Sequence, residues 1–428
     1  MLLKGAVLAT LDPPEVENAD LRVEDGRIVE RRPGLSPAQG ENVVDLAGRL
    51  IMPGLVNAHT HLYSALARGM PGPRLPPRSF VEILERVWWR LDRALDEESV
   101  FLSALVGGIE AALSGTTLLV DHHASPSFIR GSLGAVRRAL EEIGLRSLLC
   151  YEVTDRNGTE GRDAGIEENA SFPEAPSELT RGMIGAHASF TLSPESLDLL
   201  AKAGRQTSRG VHIHVAEDAA DVEDCKARYG QTLIERLDGH GLVSERSLLA
   251  HCVHLLPGQL EEAQARGAWI AHNARSNMNN SVGHAPTTAL TRAALGTDGM
   301  DGDMLAEVRG AYLKMRDAGR GDAFGAALQL LAGGHRLASA LFGLPFGTLQ
   351  AGAPADLVVL DYAPPTPLDA GNLAGHVLFG LDRSHVSSVL VAGKWVVRER
   401  RLVSVDASAA FERARAVAPR VWERMGRL

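Results

Sequence analysis

The chain has 428 residues, of which 45% are hydrophobic and 23% charged, with a formal net charge of -9. This composition is ordinary for a soluble globular protein, and the length allows one large barrel with an accessory domain. The negative charge, without any basic stripe, argues against nucleic acid as a partner, and no apolar run is long enough to cross a bilayer. Three widely spaced cysteines argue against a disulfide framework and indicate a reducing cytoplasm.

Residues 1–52 show the pattern of short strands and turns. Residues 20–30 alternate polar and apolar side chains around Asp25–Gly26, which is typical of a β-hairpin. Residues 1–10 lack a basic segment followed by a long apolar core. We therefore interpret them as a first strand and not as a signal peptide.

From residue 54 the pattern changes to short β-rich runs that alternate with helical segments. The eight runs are 54–61, 115–122, 146–154, 183–190, 210–216, 247–254, 268–273 and 293–298. Eight strands alternating with helices predict an α/β protein with a (β/α)8 TIM-like barrel. The runner-up is an open doubly wound sheet, which calls for a Gly-rich phosphate turn after its first strand, and that turn is missing.

After a helix predicted at 323–342, the chain returns to strands at 355–361 and 387–397. We expect the N- and C-terminal segments to pair into one small β-sandwich. Residues 53–352 are assigned to the catalytic barrel. Residues 1–52 and 353–428 are assigned to the composite sandwich domain, with a C-terminal helix at 407–427.

Histidines collect at the carboxyl ends of the predicted barrel strands, where such barrels carry their chemistry. His59 and His61 end the first strand, and residues two apart on a strand point to one face. Alone, the pair could be two solvated side chains. Most of the fifteen histidines, however, lie at these strand ends. The polar strand-end residues are His59, His61, Asp121, His122, His123, His187, His212, His214, His251, His254, His272, Asn273 and Asp298.

His59, His61, one histidine of strand five and Asp298 offer three nitrogens and one carboxylate oxygen. Zn²⁺ accepts such a set, and so does Fe²⁺. We predict one divalent metal, with Zn²⁺ preferred and Fe²⁺ as the alternative. The metal would turn a bound water into hydroxide, the nucleophile. Glu217, just beyond strand five, is a candidate general acid and base.

Residues 183–190 contain no lysine that could be carboxylated to bridge two ions, which favours a single metal. Asp121, His122 and His123 could form a second cation site, but we favour hydrogen-bonded or substrate-contacting roles for them. His212 shares a strand face with His214 and could replace it as a ligand.

Several motifs in order along the chain resemble the amidohydrolase superfamily. They fit its chlorohydrolase and aminohydrolase branch (ATZ/TRZ-like, related to cytosine and guanine deaminases), and the closest likeness is to SsnA-like aminohydrolases. The motifs lie at 53–61, 87–98, 121–126, 214–217, 250–255, 272–280, 295–299 and 352–357.

The resemblance implies His59, His61, His214 and Asp298 as metal ligands. Glu217 would move a proton from the attacking water to a ring nitrogen, and His251 would orient that water beside Asp298. The residues predicted to contact substrate are His187, His123, Trp89 and Asn273. The family also leads us to expect a homodimer.

The chain departs from the branch at three positions. Many deaminases of the branch carry proline where Ala274 stands and lysine where Asn279 stands. Nucleoside-type members carry arginine where Gly165 stands, which weakens the case for a nucleoside substrate.

The predicted function is therefore that of a metal-dependent aminohydrolase, a hydrolase of non-peptide C–N bonds that releases ammonia from a small nitrogen heterocycle. A cyclic amidase or chlorohydrolase using the same mononuclear site is the alternative. A non-catalytic scaffold would be expected to have lost metal ligands, and this chain keeps them.

Overall fold

The structure, a computed structural model, describes residues 1–173 and 177–428. Its strands are β1 (Leu2–Leu11), β2 (Pro14–Glu24), β3 (Arg27–Arg32), β4 (Val43–Asp45), β5 (Leu50–Pro53), β6 (Leu55–Thr60), β7 (Thr116–His123), β8 (Arg146–Tyr151), β9 (Thr180–Gly182), β10 (Ile184–Ala188), β11 (Val211–Val215), β12 (Leu248–His251), β13 (Trp269–His272), β14 (Ala293–Leu295), β15 (Leu357–Leu360), β16 (Val386–Val391), β17 (Lys394–Arg398) and β18 (Arg401–Leu402).

Helices fill most of the remaining chain. The α-helices are α1 (Phe80–Ile83), α2 (Trp89–Ala94), α3 (Glu97–Leu113), α4 (Ser132–Ile143), α5 (Gly158–Ser171), α6 (Pro194–Thr207), α7 (Ala219–Tyr229), α8 (Leu233–Gly239), α9 (Pro257–Ala265), α10 (Ala274–Asn279), α11 (Met304–Asp317), α12 (Ala323–Phe342), α13 (Leu373–Gly375) and α14 (Ala407–Arg427). Short 3-10 or π turns lie at Leu62–Ala67, Leu84–Trp88, Asp155–Asn157, Ser189–Thr191, Thr287–Ala289, His376–Gly380 and Arg383–His385.

The predicted barrel is present, with parallel pairing from β6 round to β14. The fourth barrel strand is interrupted at Met183, so that β9 pairs with β8 and β10 pairs with β11. Backbone hydrogen bonds close the ring at two places. Asp298 N donates to His59 O at 2.9 Å, and Val153 N donates to Gly185 O at 3.2 Å. All residues of β6, β7 and β8 are buried, as expected for parallel strands covered on both faces.

Two segments predicted as single helical stretches are divided, because local capping outweighs the continuous apolar pattern. In residues 80–113, Asp96 adopts an extended conformation and caps α3 in a reciprocal capping box with Ser99. In residues 219–237, Gly230 ends α7 in the left-handed region and Thr232 caps α8.

The terminal segments pair as expected, through β5 and β15 in antiparallel register. They form one nine-stranded sheet that folds over, so that Ile28 N donates to Ala353 O at 2.9 Å. Between the layers lies a core that is separate from the main core of the barrel. The division at residues 53 and 352 remains our assignment.

Helix α14 spans the predicted residues 407–427, but its contacts differ from its sequence grouping with the terminal strands. It packs on α2, α3 and the Leu62–Ala67 turn of the barrel. Trp422 Nε1 donates to Leu66 O at 2.9 Å, and Arg424 Nε donates to Ala94 O at 2.6 Å. The reason is that the buried apolar residues of α14 pack against apolar residues of these barrel elements and not against the terminal sheet.

Within the described ranges no helix is long and apolar enough to span a membrane. Cys150, Cys225 and Cys252 are buried and unpaired, in agreement with the absence of a disulfide framework.

A buried ion pair joins the barrel to the terminal sheet. Arg146 of β8 donates to both carboxylate oxygens of Asp356, at 2.6 and 3.1 Å, and Ala392 N donates to the same carboxylate at 2.8 Å. Removing one partner leaves the other charge buried and unpaired.

We expect Asp356→Asn to lower the free energy of unfolding by about 3 kcal/mol, measured from the urea midpoint. The matched control is Glu167→Gln, which removes the exposed pair with Arg130 and should cost less than about 1 kcal/mol. Equal effects of the two substitutions would contradict a structural role for the buried pair.

Candidate active site

A cavity of about 760 Å³, including its open mouth, lies at the carboxyl ends of the barrel strands. Its floor carries polar side chains and its outer wall is aromatic and apolar. The lining residues are His61, Tyr63, Ser64, Phe80, Val81, Leu84, Trp88, Trp89, Glu152, His187, Ala188, Phe190, His214, Glu217, Asp218, Ala220, Asp221, Asn280, Asp298 and Gly299.

The four predicted metal ligands converge at the floor. His61 Nε2 lies 3.0 Å from Asp298 Oδ1 and 3.2 Å from His214 Nε2. His59 Nε2 lies 3.3 Å from the same Asp298 oxygen. Strands from opposite parts of the barrel thus bring three imidazoles and one carboxylate together.

Hydrogen bonds at the Nδ1 atoms fix the orientation and the tautomer of two of these imidazoles. His61 Nδ1 donates to His122 O at 2.6 Å, and His214 Nδ1 donates to His187 O at 2.9 Å. Both Nε2 atoms therefore present lone pairs to one another across the site. His59 Nε2 is buried without a hydrogen-bond partner. A divalent cation would accept the lone pairs of all these nitrogen and oxygen atoms at once, so the cluster fits such an ion.

The charges in the cluster lead to the same conclusion. Burial lowers the pKa of His59 to about 3, so that this ligand is neutral. Burial also lowers the pKa of His61, but the hydrogen bond and charge of Asp298 outweigh it and raise the value to about 9. Burial raises the pKa of Asp298, whereas the adjacent imidazoles of His59 and His61 outweigh burial and bring the pKa well below its usual range. Without a cation, His61 and Asp298 therefore hold a proton between them.

The alternative ligands are engaged elsewhere. His212 Nε2 lies 2.9 Å from His59 Nδ1, which places His212 behind the ligand. Asp121 Oδ1 accepts a hydrogen bond from Leu62 N at 2.7 Å. His122 Nε2 donates to the carbonyl oxygen of Ala186 at 3.1 Å. These contacts agree with hydrogen-bonded roles, but Asp121 Oδ2 and His122 Nδ1 are buried without a hydrogen-bond partner, so the preference over a second cation site remains a prediction.

Glu217 and His251 stand beside the cluster, with Glu217 Oε2 3.5 Å from His251 Nε2. Asn277 Oδ1 accepts a hydrogen bond from His251 Nδ1 at 2.8 Å, which leaves His251 Nε2 for the cavity side. Burial raises the pKa of Glu217 to about 7. A carboxyl with this pKa exchanges protons readily near neutral pH.

Three strand ends turn through the left-handed region at the site. The φ angles are 48° at Ala216, 72° at His251 and 54° at Asp298. Such angles are uncommon for residues with a side chain and cluster at functional sites. At Asp298 the turn is held by His61 N and Thr60 Oγ1, which donate to Asp298 O at 3.3 and 3.1 Å.

Two of the four predicted substrate contacts line the cavity. His187 Nδ1 is bonded to Thr191 Oγ1 at 2.7 Å, which frees its Nε2 for a ligand. Trp89 also lines the cavity, although the guanidinium of Arg156 covers one face of its ring at 4.3 Å.

The other two, His123 and Asn273, do not line the cavity. The alternation of β7 turns His122 inward, so His123 points away and its Nε2 bonds Ser125 Oγ at 2.9 Å. Asn273 is fully buried, and its Oδ1 lies so close to Gly296 that a Cβ there would be 2.4 Å away. The structure thus places both behind the wall that a substrate would touch.

A carboxylate that sequence reasoning did not single out lies opposite Glu217. Glu152 directly follows β8 and is 5% exposed. Its Oε1 accepts from Arg156 at 3.1 Å, and its Oε2 lies 3.4 Å from His122 Nδ1. Burial raises its pKa, but His187, His122 and Arg156 outweigh burial and lower it. Its position at a strand end is the signal that could have identified it.

The chain is similar to known proteins over nearly its whole length. Residues 50–396 match the amidohydrolase family. The chain belongs to that family. A 5-methylthioadenosine/S-adenosylhomocysteine deaminase from Desulforudis audaxviator is 33% identical over 426 residues, covering 94% of this chain and 95% of that protein. A 5'-deoxyadenosine deaminase from Methanosarcina mazei is 29% identical over 433 residues, covering 98% and 97% respectively.

Solved structures show the same fold. An adenosine deaminase from Xanthomonas campestris with bound zinc has a TM-score of 0.85 at 25% identity, covering 98% of each chain. The zinc complex of atrazine chlorohydrolase TrzN from Arthrobacter aurescens has a TM-score of 0.84 at 23% identity, covering 98% of this chain and 100% of that one.

These findings confirm the predicted family, the barrel with an extra domain, and the class of hydrolase acting on C–N bonds. The packing of this structure gives a physical reason for one departure from the branch. A Cβ at Gly165 would lie 2.9 Å from the Tyr151 ring, so the arginine of nucleoside-type members has no room there in this packing.

Metal uptake should displace the proton held between His61 and Asp298. We expect about one proton more to be released per Zn²⁺ bound at about pH 7.5 than above the His61 pKa of about 9, where water held by the ion is the group left to lose a proton. Metal affinity therefore rises with pH up to that value. Calorimetric titration of metal-free protein in buffers of different ionisation enthalpy measures the release.

Asp298→Asn is the matched variant, because it removes the charge that keeps His61 protonated. It should bind Zn²⁺ more weakly and release fewer protons. Metal binding without proton release by the wild-type protein at about pH 7.5 would contradict this description of the cluster.

Proposed function

We propose that the protein is a mononuclear metal-dependent aminohydrolase that removes an amino group from a small nitrogen heterocycle as ammonia. The observation that carries the proposal is the placement of Glu217 and His251 beside the ligand cluster, 3.5 Å from one another, with Glu217 lining the cavity. The deaminase names of the relatives in Desulforudis and Methanosarcina agree with this reaction.

The ligands would be His59, His61, His214 and Asp298, with Zn²⁺ preferred over Fe²⁺. Candidate ligand atoms of His59, His214 and Asp298 lie within 4.8 Å of one another, together with one of His251, and His61 Nε2 lies 3.0 Å from Asp298 Oδ1. This nitrogen-rich set and the zinc in the Xanthomonas adenosine deaminase structure support the choice. A divalent cation held there supplies a Lewis acid that lowers the pKa of water at its open coordination position.

The chain's own residues supply the proton chemistry. Glu217 accepts a proton from the attacking water and passes it to a ring nitrogen, which makes the amino-bearing carbon more electrophilic. His251, held by Asn277, orients the water toward that carbon. Asp298 accepts a hydrogen bond from Ser276 Oγ on one carboxylate oxygen and contacts the attacking water with the other. Glu217, deprotonated again, then carries the proton of the added hydroxyl to the amino group, which leaves as ammonia while the carbon–oxygen bond becomes a carbonyl.

His187 contacts the ring through its free Nε2, and Trp88 and Trp89 give the cavity an aromatic wall for a planar substrate. His123 and Asn273, which lie behind the cavity wall, then act by supporting residues that line it. A homodimer in the cytoplasm remains our prediction. Light scattering of the purified protein and fractionation of its host cells test these two points.

Glu217→Gln should keep the metal and lose most of the turnover, by roughly 10²–10⁴-fold, because the amide cannot accept the proton. Ammonia release from purines, pyrimidines, pterins and triazines measures activity, and elemental analysis measures metal. A product mass shift distinguishes deamination from ring opening or chloride displacement.

Glu223→Gln is the matched control, since Glu223 is exposed on α7 close to the site in sequence but outside the cavity. It should leave turnover unchanged. A Glu217→Gln variant with near-wild-type turnover would remove Glu217 from its role, and a metal-loaded protein that releases neither ammonia nor another hydrolysis product would refute the proposed function.

A further inference from the structure

Glu152 lines the cavity at a different strand end from the proton-transfer pair. It follows the third barrel strand, whereas Glu217 and His251 belong to the ends of the fifth and sixth strands. Ligand-type atoms of Glu152, His187 and His214 lie within 4.8 Å of one another. A planar ring whose reacting carbon lies beside Glu217 would then have a second edge within reach of Glu152 and His187.

The charge around Glu152 is not balanced by its protein partners. Arg156 is shared between two buried carboxylates, with NH2 3.1 Å from Glu152 Oε1 and 3.4 Å from Asp92 Oδ2. Its flat face is also stacked on Trp89. The second oxygen of Glu152, Oε2, has His122 Nδ1 at 3.4 Å, which leaves it able to accept a shorter hydrogen bond from a group in the cavity. A buried carboxylate oxygen gains most from a further hydrogen-bond donor.

Two other carboxylates that line the cavity, those of Asp218 and Asp221, already accept hydrogen bonds from main-chain N–H groups. Asp221 accepts from Phe190 N at 3.1 Å and from Ala216 N at 2.9 Å, one bond on each oxygen. Asp218 caps α7 by accepting from Ala220 N. The neighbouring wall is apolar, with Phe80 and Leu84 in one buried cluster. The mouth thus offers few free acceptors for sugar hydroxyls.

We propose that Glu152 binds substrate by accepting a hydrogen bond from a ring N–H opposite the amino-bearing carbon, so that the enzyme selects a free heterocyclic base over its N-glycoside. This inference rests on the proposed function and narrows its substrate class. In an N-glycoside the sugar replaces that hydrogen, which removes the donor and places a bulky group against Glu152.

The test uses zinc-loaded protein and pairs of compounds that differ at the ring nitrogen. Cytosine is compared with 1-methylcytosine, and adenine with 9-methyladenine and 5'-deoxyadenosine. Ammonia release gives kcat/KM, and calorimetry gives the Kd of each compound. We expect the wild-type protein to favour at least one free base over its N-substituted forms by at least about tenfold, the effect of one hydrogen bond to a charged group.

Glu152→Gln keeps the shape of the side chain and removes its charge. It should lower kcat/KM for the preferred base by roughly 10–100-fold and reduce the preference over the N-methyl form to below about threefold. The matched control is Asp92→Asn, which changes the other partner of Arg156 but does not line the cavity. That variant should retain the preference.

Other outcomes would overturn the inference. These are a wild-type preference for 5'-deoxyadenosine over adenine, an equal loss for the base and its N-methyl form in Glu152→Gln, and loss of the preference in Asp92→Asn. A second metal equivalent that disappears in Glu152→Gln would instead make Glu152 a metal ligand. His214 argues against that set, because its Nδ1 bonds His187 O and its Nε2 faces His61.

The inference and the proposed function can fail separately. If no compound releases ammonia but calorimetry shows tighter binding of a free base that depends on Glu152, the reaction is wrong and the binding role stands. If ammonia is released without any discrimination at the ring nitrogen, the reaction stands and the role of Glu152 is refuted.

Discussion

The structure depends on one electrostatic constraint, the burial of several unshared nitrogen and oxygen lone pairs that point at each other. The Nε2 atoms of His61 and His214 are 3.2 Å apart, and both face the Asp298 carboxylate. Such an arrangement is unfavourable unless a cation or a proton lies between the atoms. The hydrogen bonds behind the imidazoles, to main-chain carbonyls and to His212, hold the rings in this orientation.

The barrel provides the rigidity that this constraint requires. Its ring is closed where β14 meets β6, and the same backbone atoms of Asp298 that close it also set the direction of the Asp298 carboxylate. The site is therefore part of the closure of the fold. The buried pair of Arg146 and Asp356 then ties the barrel to the sheet formed by both chain termini.

Around the cluster of candidate metal ligands the cavity has two chemically distinct carboxyl groups. Glu217, with a pKa raised to about 7 by burial, provides an exchangeable proton on one side. Glu152, whose pKa is held low by neighbouring imidazoles and Arg156 although burial opposes this, provides a lasting negative charge on the other. In the proposed mechanism, two carboxyls in one pocket thus divide proton transfer and recognition between them, because their neighbours differ.

The sequence by itself determined the eight-stranded barrel and the bounds of α12 and α14, because hydrophobic periodicity is a local property. The His-x-His spacing predicted two of the four proposed ligands for the same reason. It could not determine where Asp96 and Gly230 divide helices, since capping competes there with periodicity. Only the tertiary structure decided that His123 and Asn273 lie behind the wall and that Glu152 faces the cavity. Those outcomes depend on which face of β7 turns inward and on contacts between distant segments, which hydrophobic periodicity does not encode.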